Sequence, residues 1–153
     1  MERTLVILKP CTIQRGLIGE IIARFEKKGL ILEGMKMTWL TDEILSEHYA
    51  HLKERSFFQR VKDAMAVCPV IVCCWKGVDA VNVVRTLAGA TNGRNAAPGT
   101  IRGDYSMSVQ ENIVHASDSL ETAAIELKRF FTEDELFNYE TKNLLSLYAN
   151  DEF

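Results

Sequence analysis

Membrane spans are missing from this chain: its longest apolar runs, Leu5 to Leu8 and Val70 to Trp75, fall far short of the roughly 18 residues a crossing needs. An excess of positive charge is missing too. There are 18 Lys+Arg against 21 Asp+Glu, a net charge of -3. No global field draws the protein to nucleic acid, so an anionic ligand has to meet a local cluster of cations. Prolines number only three and histidines only three. The four cysteines, Cys11, Cys68, Cys73 and Cys74, form no C-x-x-C pair. Adjacent Cys73 and Cys74 on a strand would point to opposite faces and could not grip one metal, which reads as free thiols in a reducing cytoplasm. The start, Met1-Glu2-Arg3-Thr4, runs straight into a strand-like segment with too few apolar residues for a signal-peptide core. Neither G-x-x-x-x-G-K-[ST] nor G-x-G-x-x-G occurs.

What is present suits one globular domain over residues 1–153: 47% hydrophobic and 25% charged residues, with a weakly patterned tail over 132–153. Leu5 to Leu8 reads as a fully buried strand ended by Lys9-Pro10. Ile18, Ile21, Ile22 and Phe25 recur at helical spacing up to a stop at Gly29. Leu30 to Trp39 reads as a second strand, in which Met35, Met37 and Trp39 alternate with Gly34, Lys36 and Thr38. Thr41 or Asp42 caps a helix with Ile44, Leu45 and Tyr49, and Phe57 to Ala66 predicts another. Pro69 to Trp75 is a third strand and Val78 to Leu87 a helix. Gly89 to Gly103 is a long loop with four glycines and two arginines, a feature that usually carries function. Ile113-Val114 is a short fourth strand and 119–131 a last helix. This order predicts an α+β fold: a ferredoxin-like α/β sandwich, a four-stranded antiparallel sheet covered by helices on one face.

The histidines differ in their surroundings. His48 and His51, three apart on a predicted helix, read as a solvated face with no nearby third metal ligand. His115 stands where a short strand ends and a helix begins, with Asp118 and Glu121 in the D-x-x-E form of a capping box. Glu126 flanks that helix's buried stripe, where a carboxylate needs a partner. A ring N–H of His115 could be that partner, leaving the other nitrogen nucleophilic; a core histidine satisfied by backbone is the other reading. Lys9, Arg85, Arg94 and Arg102 are cations near turns, and Gly99 to Gly103 would let backbone approach a phosphate while Arg102 forks onto its oxygens. Of Phe57 and Phe58, either one is left exposed for stacking or both belong to the core.

Several separated motifs resemble one family in order, over about residues 3 to 140. They are Asn112-x-x-His115-x-Ser117-Asp118-Ser119 with Glu121, Ala123 and Glu126, then Ile7-Leu8-Lys9-Pro10, Gly16 to Phe25, Tyr49, Phe57-Phe58, Arg85, Gly89-Ala90-Thr91-Asn92, and Pro98 to Asp104. The chain is similar to nucleoside diphosphate kinases. The resemblance implies a ping-pong transfer of the γ-phosphoryl group of a nucleoside triphosphate, mainly ATP, through His115 to a nucleoside diphosphate. It implies Glu126 on the other ring nitrogen, Ser117 in support and Tyr49 beside His115. Lys9 and Asn112 would bind sugar hydroxyls and phosphate oxygens, and Arg85, Thr91 and Arg102 the phosphates. The base would stack on Phe57 with Val109 on its other side, a contact every base can make. Mg²⁺ would bridge the phosphates. A cytoplasmic homo-oligomer, hexamer or tetramer, is implied, with no membrane or specific nucleic-acid partner.

The departures are modest. Ala116 stands where glycine is common, Ser56 where proline precedes the phenylalanine pair, Gly93 where proline follows Asn92, and Cys11-Thr12 where Asp or Asn and a small residue follow. A non-catalytic RNA-binding module of the same fold would need aromatic, basic strands, which are absent here. A protein histidine phosphocarrier would share His115 without needing Phe57, Lys9 and Asn112 together.

Overall fold

The computed structural model describes residues 1–153. Along the chain run β1 (Glu2–Leu8), α1 (Pro10–Gln14), α2 (Ile18–Lys28), β2 (Ile31–Thr38), α3 (Asp42–His48), α4 (Phe58–Met65), β3 (Val70–Gly77), α5 (Ala80–Ala88), α6 (Ile101–Tyr105), β4 (Val114–Ala116), α7 (Leu120–Phe130) and α8 (Leu144–Leu147). The strands make one sheet in the order β2-β3-β1-β4, every neighbouring pair antiparallel. The predicted ferredoxin-like topology is therefore the observed one. No helix is long and apolar enough to cross a membrane.

The helices do not lie on one face as the sequence reading had it; they cover both. In β1, Leu5 and Ile7 join Val70, Val72 and Cys74 of β3 beneath α3, α4 and α7. Val6 and Leu8 join Ile71, Cys73 and Trp75 beneath α2, α5 and α6. The physical reason is visible in the runs themselves. Strands with no polar alternate positions have two faces to bury, and each side chain so buried is worth about 1.5–3 kcal/mol. The end of β2 behaves differently: Met35, Met37 and, just past the strand, Trp39 are exposed along the sheet edge.

Local signals place the ends of the elements. Gly29, at φ 101°, closes α2 with its N–H on the Glu26 carbonyl. The α7 cap is Ser119, whose Oγ accepts from Thr122 N at 3.1 Å, and not the predicted Asp118–Glu121 box. Asp118 is left exposed. The long loop is also more ordered than its composition suggested. Thr100 Oγ1 accepts from Gly103 N at 3.0 Å and starts α6 inside it. All four cysteines are free. Beyond α7, the tail is tied to β2 by Phe137 N donating to the Glu33 carbonyl at 2.7 Å and Tyr139 donating to that of Leu32 at 2.8 Å.

Gly93 is not a loose point. It is buried, its N–H donates to Ser108 O at 3.1 Å, and a Cβ there would meet Ser106 O at 2.3 Å and Ser106 Cβ at 2.5 Å. Gly93→Ala is expected to cost about 1–3 kcal/mol through this overlap. Urea denaturation checks it: an unchanged midpoint would mean that the loop yields freely.

Candidate active site

His115 lies on β4, paired with Ile7 of β1, and so shares the sheet face of Ile7 beneath α3 and α7. Its Nε2 is 2.9 and 3.1 Å from the two carboxylate oxygens of Glu126 on α7. Ser117 Oγ donates to Glu126 Oε2 at 2.5 Å. Glu126 is only 5% exposed. Burial acts first and pushes its carboxyl up, but the His115 hydrogen bond and charge, the Ser117 hydroxyl and His48 outweigh it and hold the carboxyl below its usual range. A carboxylate only accepts, so Nε2 carries the ring proton and the Nδ1 lone pair is left free of protein partners. Of the two readings of His115, the paired one is observed.

The neighbouring groups are held by a knot of backbone. Ile113 is buried at φ 74°, and Val114 N donates to Asn112 O at 2.9 Å, which closes a γ-turn. Such a conformation costs a β-branched residue about 1–3 kcal/mol and persists only when its surroundings over-determine it. They do so here: the Ile113 carbonyl accepts from Lys9 N at 3.0 Å and from Thr12 Oγ1 at 2.5 Å. Lys9 Nζ donates to Asn112 Oδ1 at 2.6 Å and Gln110 O at 3.1 Å, while Asn112 Nδ2 donates to the carbonyls of Thr91 and Val109, both at 2.9 Å. Arg102 donates to the carbonyls of Asn112, Gly89 and Val114 at 3.1, 2.9 and 2.8 Å. Exposed Arg85 lies close enough to act on it. Burial, then the Arg102 charge, brings the Lys9 ammonium down to about 8. Burial, then Arg85, brings Arg102 down to about 10. Both stay cationic at neutral pH.

The structure thus joins Lys9, Thr91, Arg102, Val109, Asn112 and His115 through the segment 109–115, with Arg85 beside Arg102. Tyr49, at the end of α3, borders both Lys9 and a cleft of about 570 Å³ that contains His115. Burial and the Glu126 charge push its phenol up, so it remains an O–H donor. Phe57 stands apart from this network, 37% exposed at the head of α4, while Phe58 packs on the core; one phenylalanine is inside and one outside.

His48 departs from the expectation. It is not a solvated helix residue: it is 5% exposed, its ring meets that of His115 edge-on at 4.6 Å, and its Nδ1 is 3.6 Å from Glu126 Oε1. The metal-ligand partners that the sequence did not offer it, His115 and Glu126, are brought beside it by the fold. A signal existed. His48 follows Ile44 by four residues and Leu45 by three, which is the buried stripe of α3. Arg129 was also missed; its Nη1 donates to His48 Nδ1 at 3.3 Å and its Nε to Glu47 Oε1 at 2.9 Å.

A family model of nucleoside diphosphate kinases matches residues 2–136. The chain is 86% identical over its whole length to the full nucleoside diphosphate kinase of Parabacteroides distasonis. It is 51% identical over 141 residues to that of Pyrococcus abyssi, covering 90% of this chain and 89% of the other. The solved structure of a halophilic nucleoside diphosphate kinase from Halobacterium salinarum in complex with CDP superimposes with a TM-score of 0.94 at 40% identity, covering 96% of this chain and 98% of that one. The fold and the family matched are those of a phosphotransferase. The chain belongs to the nucleoside diphosphate kinase family, and its activity is phosphoryl transfer from a nucleoside triphosphate to a nucleoside diphosphate.

Burial first, then the His115 charge, holds His48 down at about 3. An unfolded imidazole takes up its proton near 6.5, so below that pH the unfolded chain binds a proton that the folded chain refuses. Each pH unit between about 6.5 and 3 therefore removes up to about 1.4 kcal/mol of stability. Glu126 adds its own loss only at lower pH, below its ordinary 4.5. Urea midpoints measured against pH check this: His48→Phe should flatten the limb just below about pH 6.5, and an unchanged slope would assign the titration to another group.

Proposed function

We propose that His115 itself carries the phosphoryl group, through Nδ1, in a ping-pong reaction. The observation that supports this best is the bidentate contact of Nε2 with Glu126, which fixes the tautomer and leaves Nδ1 as the nucleophile. Nδ1 attacks the γ-phosphorus, the N–P bond forms as the bridging P–O bond to the β-phosphate breaks, and the nucleoside diphosphate leaves with that oxygen. The ring gains positive character, which Glu126 stabilises through the Nε2 proton, with Ser117 holding the carboxylate. A terminal phosphate oxygen of the second diphosphate then attacks the same phosphorus in line, and His115 leaves with its lone pair restored.

Lys9 and Asn112 bind the sugar hydroxyls and inner phosphate oxygens, and Arg85, Thr91 and Arg102 neutralise the charge that spreads over the transferring group. Three Arg102 donors are spent on carbonyls, so its fork arrives preorganised rather than mobile. The Tyr49 hydroxyl donates at the His115 side. The base lies between Phe57 and Val109. Glu126 is engaged by His115 and Ser117, so Mg²⁺ would find no free carboxylate here and would be held by the bound nucleotide, where it would supply charge neutralisation. The chain acts as one domain over residues 1–153 in the cytoplasm. Its exposed edge strand, with Met35, Met37 and Trp39, supports assembly with further copies into a hexamer or tetramer.

Incubation with γ-labelled ATP and Mg²⁺, followed by removal of nucleotide, should leave label on the wild type and none on His115→Asn. GDP should then discharge it. Glu126→Gln should slow labelling by about 100-fold. A folded wild type that takes up no label would refute the mechanism. Trp39→Arg together with Met37→Arg should give a smaller species by size-exclusion chromatography with light scattering, and an unchanged mass would place the contact elsewhere.

A further inference from the structure

We propose that His48, His115 and Glu126 form an inhibitory site for a borderline-soft divalent cation of the Zn²⁺ class. One donor atom of each residue lies within 4.8 Å of the other two. His48 Nδ1 is 3.6 Å and His115 Nε2 2.9 Å from the same oxygen, Glu126 Oε1. Metal–ligand bonds of 2.0–2.2 Å in tetrahedral geometry separate ligand atoms by about 3.3 Å, so small side-chain rotations satisfy the set. Two imidazoles and one carboxylate, with one position open, are a donor set that zinc accepts and that Mg²⁺, which demands octahedral oxygen, does not.

The tautomer of His48 already suits a ligand. Arg129 can only donate, so its contact at 3.3 Å shows that Nδ1 bears the lone pair. The other nitrogen, Nε2, is buried without a hydrogen-bond partner, so His48 gains little from its present setting. The opposing group is Arg129 itself, which competes for that lone pair and repels a cation. Glu47, His51 and Asp118 border the same cleft, and Glu47 holds Arg129 through Nε.

Coordination through His115 Nε2 inverts the tautomer. A neutral imidazole keeps one proton, and with the metal on Nε2 that proton sits on Nδ1, where it removes the lone pair that attacks phosphorus. The site therefore switches off phosphoryl uptake without touching the nucleotide's own contacts. This consequence rests on the nucleophile assigned above; the metal site itself does not.

The test uses the full chain, stripped of metal and free of nucleotide, titrated with Zn²⁺ against a chromophoric chelator. One zinc per chain is expected, and Co²⁺ in its place should show tetrahedral absorption without a thiolate charge-transfer band. His48→Phe should weaken zinc at least about tenfold, since outer partners of a metal site alone are worth that much. Arg129→Met should tighten it severalfold, and it decides the matter if His48→Phe fails to fold. Zinc should block labelling of the wild type by γ-labelled ATP. No stoichiometric uptake, a thiolate band, unchanged affinity in folded His48→Phe, or weaker binding in Arg129→Met overturns the proposal. Absence of label without zinc would count against the histidine mechanism and leave the metal result standing.

Discussion

A carboxylate buried to 5% exposure has to be satisfied, and the satisfaction of Glu126 organises everything near it. Left alone in an apolar layer it would be costly enough to protonate. It is held instead by the His115 ring, through both oxygens, and by the Ser117 hydroxyl. Those contacts fix the ring's orientation, choose its tautomer and commit Ser117, while Ser119 caps α7. One interaction therefore serves stability and reactivity at once. The imidazole that keeps a buried anion tolerable is the same imidazole whose free nitrogen is the proposed nucleophile.

A second constraint works along the backbone. The turn at Ile113 is strained, and it is secured by Lys9 N and Thr12 from one side and by Arg102 across the carbonyls of Asn112 and Val114. The loop that delivers Arg102 is held by buried Gly93, which donates to Ser108 O and leaves no room for a side chain beside Ser106. A proline at Gly93 would lose that N–H and collide. The glycine is thus a different means of rigidity and not a loss of it.

The strands and the α2 stop at Gly29 were legible in local spacing, whereas the pairing of His115 with Glu126 was one of two readings the residues allowed and was implied only by the family resemblance. The sequence reading misjudged how the layers stack. The unbroken apolar runs of β1 and β3 already meant two buried faces, but element order alone suggested one. It misread His48, because two histidines three apart look like a face to themselves until the stripe from Ile44 and Leu45 is continued. The Ser119 cap was obscured by the D-x-x-E spacing of Asp118 and Glu121, which put a capping-box candidate one residue earlier. The Ile113 turn had no signal at all. A β-branched residue is the last that local propensity would put at positive φ.

The distribution of charge explains how a protein of net charge -3 handles polyanionic nucleotides. Lys9, Arg85 and Arg102 gather where 109–115 meets α5 and α6, and the first and last of these are depressed yet still charged at neutral pH. Glu126 lies on the other side of β4, behind the ring. In the proposed mechanism, a phosphoryl group reaching His115 would leave negative charge on a departing diphosphate beside cations, while the positive charge it induces in the ring would fall beside an anion. Neither charge has to be created in an unprepared medium. Burial keeps His48 neutral next to this ring, and that matters in the same sense. A cation at its position would oppose the charge that the proposed mechanism develops on His115, and the imidazole found there is too buried to hold a proton.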